Sequence, residues 1–163
     1  EFKLYKYQEV LNDIDTLFTD DFFSQKDNLR IKYLKAYSLY VTGSQTEALK
    51  LFHWLVDNSD GDLKAESYFY IAQISYNTAQ YNRCQEVVFQ LINELPSYDF
   101  WVDKSLLLLA QNYIIQQDMF QAKHVLSELK NKTKDTIILQ QINTILIDSL
   151  LNSNSDSLIQ KND

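Results

Sequence analysis

Few residues in this chain of 163 could carry covalent chemistry, and their spacing argues against each use in turn. The two histidines, His53 and His124, have no cysteine or carboxylate pair at a metal-ligand spacing around them, so neither finds the partners that a zinc site needs. The lone cysteine, Cys84, cannot form an intramolecular disulfide and reads as a small buried residue rather than a reactive thiol. Gly43 and Gly61 are isolated, so no glycine-rich loop cradles a phosphate. The carboxylate pairs Asp13 with Asp15, Asp20 with Asp21, and Asp60 with Asp62 fall at expected helix ends or turns, where an acidic side chain caps a helix and suits the positive end of its dipole. They do not extend into the regular ligand series of a calcium loop. Asn131-Lys132-Thr133 matches a glycosylation acceptor, a triplet that arises easily by chance. The expectation is a protein without catalytic residues, metal or cofactor.

Composition narrows the remaining classes. A net charge of −7 and pI near 4.8, with Lys and Arg scattered rather than clustered, disfavour nucleic acid as a ligand. A content of 45% hydrophobic and 13% aromatic residues supports a packed core, and a single proline with two glycines favours long helices over a turn-rich β fold. No apolar run is long enough to span a bilayer, and the opening EFKLYKYQEV does not resemble a secretory signal. Because the sequence starts at Glu1 rather than methionine, the native compartment stays open.

The elements that must position any surface site are set by an internal repeat. A small residue followed twelve positions later by another occurs as Ala36 with Ala48, Ala72 with Cys84, and Ala110 with Ala122. Helices approach closely only where side chains are small, so each pair marks the contact inside a helical hairpin. The expected fold is all-α, a solenoid of antiparallel hairpins with about eight helices. Three repeats are expected at about 28–61, 64–97 and 99–134, within one domain over 1–152. A helix at 2–19 precedes them, with Leu4, Tyr7, Leu11, Ile14 and Phe18 on one face. A capping helix at 136–151 follows, with Leu139, Ile142, Leu146 and Leu150 inward, and 153–163 reads as a polar, disordered tail.

The second unit, with Tyr68, Ile71, Ala72, Tyr81, Cys84, Val88 and Pro96, resembles the tetratricopeptide repeat. Ala36, Gly43, Ala48 and Phe52 carry the likeness in the first unit, and Leu109, Ala110, Tyr113 and Ala122 in the third. Lys35 stands where an aliphatic residue is usual, and units one and three lack the closing proline. Over roughly 65–130, the elements Tyr98 to Trp101 and Phe120 to Lys123 resemble the C-terminal part of large Bacteroidetes tetratricopeptide proteins. That resemblance implies a right-handed superhelix, a piece of a longer protein, and a setting in the periplasm or cell envelope.

In such a superhelix the first helices of the hairpins line a concave groove. The turn-spaced row facing it comprises Tyr33, Tyr37 and Tyr40, then Phe69, Gln73, Tyr76 and Asn77, then Lys104, Gln111 and Ile114. Tyrosine offers apolar area with a hydrogen-bonding tip, which suits a protein or peptide partner. The expected function is a noncatalytic interaction module, with a peptide-sensing regulatory domain as the alternative. Phe2, Tyr5, Tyr7, Phe22 and Phe23 are expected to leave an apolar patch for self-association at the N-terminal end.

Overall fold

The computed structural model describes the backbone of residues 2–17 and 24–159, and within these the side chains of 6–14, 24 and 26–147. The described residues form eight α-helices and no strand: α1 Phe2–Leu17, α2 Gln25–Val41, α3 Gln45–Asn58, α4 Gly61–Asn77, α5 Tyr81–Glu94, α6 Asp99–Ile115, α7 Met119–Lys132 and α8 Thr136–Ile159. The chain divides into two compact units, Glu1–Val102 and Asp103–Asp163.

The internal repeat is exact in length. Helices of 17 residues (α2, α4, α6) alternate with helices of 14 (α3, α5, α7), joined within each pair by turns at 42–44, 78–80 and 116–118. The long helices begin at Gln25, Gly61 and Asp99, offsets of 36 and 38 residues, which are also the offsets of the small pairs. All six members of those pairs, Ala36, Ala48, Ala72, Cys84, Ala110 and Ala122, are 0% exposed. Burial of side chains this small is what close helix packing at these positions requires.

One turn design serves all three hairpins. The residue that leaves the long helix has positive φ: Gly43 at 91°, Ala79 at 57° and Gln117 at 62°. The following amide reaches back five residues, Ser44 N to Leu39 O, Gln80 N to Ser75 O and Asp118 N to Tyr113 O, at 2.8, 2.8 and 2.9 Å. The positive-φ residue's own amide reaches back three, to Tyr40, Tyr76 and Ile114 O. These paired bonds consume the orphan carbonyls of a helix end. The C-cap side chain adds a third, since Thr42 Oγ1, Thr78 Oγ1 and Gln116 Nε2 donate to the carbonyls of Ser38, Ile74 and Asn112.

In the first unit α1 packs on α2, α2 on α3, α3 on α4 and α4 on α5. Its core is built from Phe52, Leu55, Ile71, Val87, Val88 and Leu91, each almost completely buried and each stabilising the fold by roughly 1.5–3 kcal/mol through apolar burial. The open end of the α4–α5 pair is fastened by Glu94, which accepts from Tyr68 Oη at 2.8 Å and pairs with Lys64 Nζ at 2.9 Å. In the second unit Leu107 and Ala110 of α6, Leu126 and Leu129 of α7, and Ile138 and Ile142 of α8 form one buried cluster.

Several expectations shift. On α8 the buried residues are Ile138 and Ile142, with Leu139 only half-buried. Asp135 caps α8 by accepting from the amides of Ile137 and Ile138, and Ile138 and Ile142 face inward because they pack with Leu107, Ala110, Leu126 and Leu129. The helix runs on to Ile159, through most of the segment expected as a disordered tail. The side chain of Leu150 lies outside the described residues. On α1, Leu11 is buried and Tyr7 and Ile14 are half-buried; Phe18, Phe22 and Phe23, and the side chains of Phe2, Leu4 and Tyr5, lie outside the described residues.

Candidate functional site

Tyr33, Tyr37 and Tyr40 sit at i, i+4 and i+7 of α2, the spacing that aligns side chains along one helix face. Their rings follow one another at centroid distances of 6.1 and 6.3 Å. From α4, Tyr70 meets Tyr37 at 5.4 Å and Tyr40 at 5.2 Å, while Tyr7 of α1 meets Tyr37 edge-on at 5.6 Å. Tyr70 also stacks on Phe52 of α3 at 5.1 Å and lies 5.3 Å from Phe69 and 6.4 Å from Trp101. Offset and edge-to-face contacts at these distances each add about 0.5–1.5 kcal/mol beyond area burial. Tyr70 is therefore the hub on which α2, α3, α4 and the first turn of α6 converge, and the sequence-derived row omitted it.

Hydrogen bonds order the same cluster. Tyr33 Oη donates to Glu66 Oε1 at 2.5 Å, joining α2 to α4. The ring of Tyr37 is held edge-on between those of Tyr7 and Tyr70. Trp101 Nε1 donates to Asp62 Oδ1 at 3.0 Å, which gives one of the acidic pairs a structural task. Burial raises the Tyr33 phenol well above the usual tyrosine range, reinforced by the hydrogen bond to Glu66 and its charge. Burial does the same for Tyr70, aided by the charges of Tyr37 and Glu66, and it also raises Tyr37, aided by Tyr7. These phenols are held neutral, as hydrogen-bond donors and apolar plates.

The remaining expected residues divide by exposure. Phe69 is 7% exposed, its ring covered by Tyr70 and by Trp101 at 5.6 Å, so it supports the cluster and does not present itself to a partner. Gln73 Nε2 donates to Asn77 Oδ1 at 3.1 Å, aligning two amides on α4 with Asn77 exposed and Gln73 half-buried. Tyr76 is half-buried against Tyr81 at 6.2 Å. Tyr40 is half-buried at the end of the α2 row. Gln111, with Lys104 and Ile114, lies half-buried on α6 in the second unit.

The residues singled out for potential chemistry differ in burial. Cys84 is completely buried, and desolvation pushes its thiol up to about 12. His53 is half-buried, and burial together with the Arg83 charge lowers it below the usual histidine value, against an opposing effect of Asp57. His124 is exposed on α7. Among the described residues no cluster of three His, Cys, Asp or Glu side chains could hold a metal ion, and no helix is long and apolar enough to cross a membrane.

No protein-family model, curated protein or solved structure matches this chain.

Proposed function

We propose that this chain is a tetratricopeptide-like helical-repeat module that binds a protein or peptide segment and performs no chemistry of its own. The observation that carries the reading is the threefold recurrence of a 17-residue helix, a turn and a 14-residue helix, with a completely buried small pair at one phase in each. Such a unit cannot bury its apolar faces alone and stacks with its neighbours, which in the first unit leaves the row on α2 and α4 as a surface of fixed geometry. In the first unit that surface is an aromatic bed with an amide edge. Tyr33, Tyr37 and Tyr70 hold the bed rigid, and Tyr40, Gln73, Tyr76 and Asn77 offer ring edges and amides for contact. Amide side chains pair with peptide backbone groups without requiring a charged partner, and a preorganised aromatic platform keeps the entropic cost of binding low.

Selection from a displayed peptide library, followed by anisotropy titration of the winners, tests the reading. The double substitution Gln73→Ala with Asn77→Ala is expected to weaken binding at least about 10-fold while leaving the melting temperature unchanged, because both side chains lie on an accessible edge. Selected peptides indifferent to this pair and to Tyr40→Ala would refute the assignment. The likeness of the elements Tyr98 to Trp101 and Phe120 to Lys123 to envelope proteins extends the proposal to a terminal segment of a larger scaffold, tested by the reading frame upstream of Glu1.

A further inference from the structure

The repeat places α8 where a fourth long helix would start, at Thr136, 37 residues after Asp99. In that register Ile147 holds the slot of Ala36, Ala72 and Ala110. Those three alanines are 0% exposed, whereas Ile147 is 57% exposed. The side of the helix that faces a 14-residue partner in the hairpins is therefore open on α8. A second isoleucine, Ile137, is 64% exposed on the same side, about 15 Å away along the helix, with exposed Gln140 and Thr144 between them. Ile138 and Ile142 occupy the opposite side, within the buried cluster.

Two features indicate what covers this face. A bulky residue in the small slot forbids the close approach found inside a hairpin, and fits the wider spacing of two helices packed through large side chains. Residues 136–147 also contain no charged side chain, in a molecule of net charge −7. Two such molecules repel over most of their surfaces, and this uncharged helix face is a place where they can meet without opposing like charges. The pattern is close to palindromic about Ile142, with Ile137 and Gln140 before it and Thr144 and Ile147 after it. We infer that α8 is the contact of an isologous dimer, pairing antiparallel with α8 of a second copy so that Ile137 of each lies towards Ile147 of the other.

Sedimentation velocity across micromolar to near-millimolar concentration tests this with the whole chain. A monomer–dimer equilibrium is expected, and I137E/I147E is expected to weaken it at least about 100-fold with unchanged helical circular dichroism, since both side chains are more than half exposed. Register is tested by disulfide trapping, which the completely buried Cys84 does not complicate. A mixture of I137C and I147C chains should cross-link faster than either alone. A wild type that stays monomeric overturns the proposal. So does a dimer that survives I137E/I147E, which would move the contact to another surface such as the N-terminal helix, and faster cross-linking of either variant alone would overturn the antiparallel pairing.

Discussion

The three hairpin turns share one backbone conformation but not one residue, and this gives a prediction with opposite signs at equivalent sites. Gly43, Ala79 and Gln117 all have positive φ, and all donate and flank the same pair of helix-terminating hydrogen bonds. For an L-residue that conformation brings Cβ against the following carbonyl and costs roughly 1–2 kcal/mol; glycine is exempt. Replacing Ala79 or Gln117 by glycine removes this cost but loosens the unfolded chain, an opposing effect of about 0.4–1 kcal/mol. The net expectation is that Ala79→Gly and Gln117→Gly each stabilise the protein by roughly 0.5–1 kcal/mol. At a chain of this size that corresponds to a melting temperature higher by about 1–4 °C. Gly43→Ala must go the other way by at least a similar amount. A Cβ built there meets nothing within 4 Å, so the whole penalty is backbone strain with no steric clash to confuse it. Urea titrations of the three single variants and the parent provide the measurement, with the Gly43 variant as internal control. If the two glycine substitutions destabilise, or if Gly43→Ala is neutral, the shared turn geometry is wrong and the hairpin register that depends on it fails too.

Four further outcomes follow from the packing. Ala72→Leu and Ala110→Leu insert bulk where the exposure is 0%, and each should cost about 1–3 kcal/mol, read by urea denaturation; unchanged stability would remove the small pairs as contact markers. Tyr70→Ala should cost on the order of 3 kcal/mol, whereas Tyr70→Phe, which keeps the ring stack and loses only the hydroxyl, should cost about 1 kcal/mol or less. Cys84 should resist a thiol reagent at pH 8 in the folded protein and react at once in denaturant, because burial holds the thiol near 12. Stability should fall as pH rises above about 10: Tyr33, Tyr70 and Tyr68, the last at about 12, keep their protons in the folded state after unfolded tyrosine has begun to lose them, so the folded state binds more protons and its advantage shrinks. Tyr33→Phe should flatten that alkaline slope.

The parts of the fold legible in the sequence are those fixed by local pattern. Close helix contacts favour small residues, so the recurrence in one phase of Ala36 with Ala48 and its two counterparts locates the hairpins, and all six are completely buried. Serine favours the start of a helix, and at Ser24 its oxygen accepts from the Asp27 amide at 3.2 Å. The positive φ of Ala79 and Gln117 was not legible, since neither residue favours it and only equivalence with Gly43 gives it away. The start of α8 at Thr136 agrees with the expected helix, but its inward side is decided by packing: Ile138 and Ile142 join Leu126 and Leu129 of α7, and Leu139 is left half-buried. Phe100 and Trp101 are adjacent aromatic residues, yet Trp101 is 7% exposed and bonded to Asp62 while Phe100 is 55% exposed. Partners 39 residues apart leave no local trace.

Tyr70 was missed for a related reason. The row expected on α4 comprises Phe69, Gln73, Tyr76 and Asn77, and Tyr70 sits one position from Phe69. Only the positions of α2, α3 and α6 relative to α4 turn that flank into the meeting point of five aromatic rings. The consequence is a division of labour among residues that looked equivalent. Tyrosines packed ring to ring with hydrogen-bonded hydroxyls have already lost most of the rotamer freedom a ligand would otherwise have to freeze, and they cannot be removed without disturbing three helices. The amides of Gln73 and Asn77 lie beside that bed with one hydrogen bond between them, and breaking it to accept a partner costs little because water can replace it. Truncating a bed tyrosine should therefore lower stability and affinity together, whereas truncating an edge amide should lower affinity alone. Measuring both quantities on Tyr37→Ala and on the Gln73→Ala and Asn77→Ala pair distinguishes a platform with a reading edge from a uniform aromatic surface, for which the two variants would lose affinity in equal measure at equal stability.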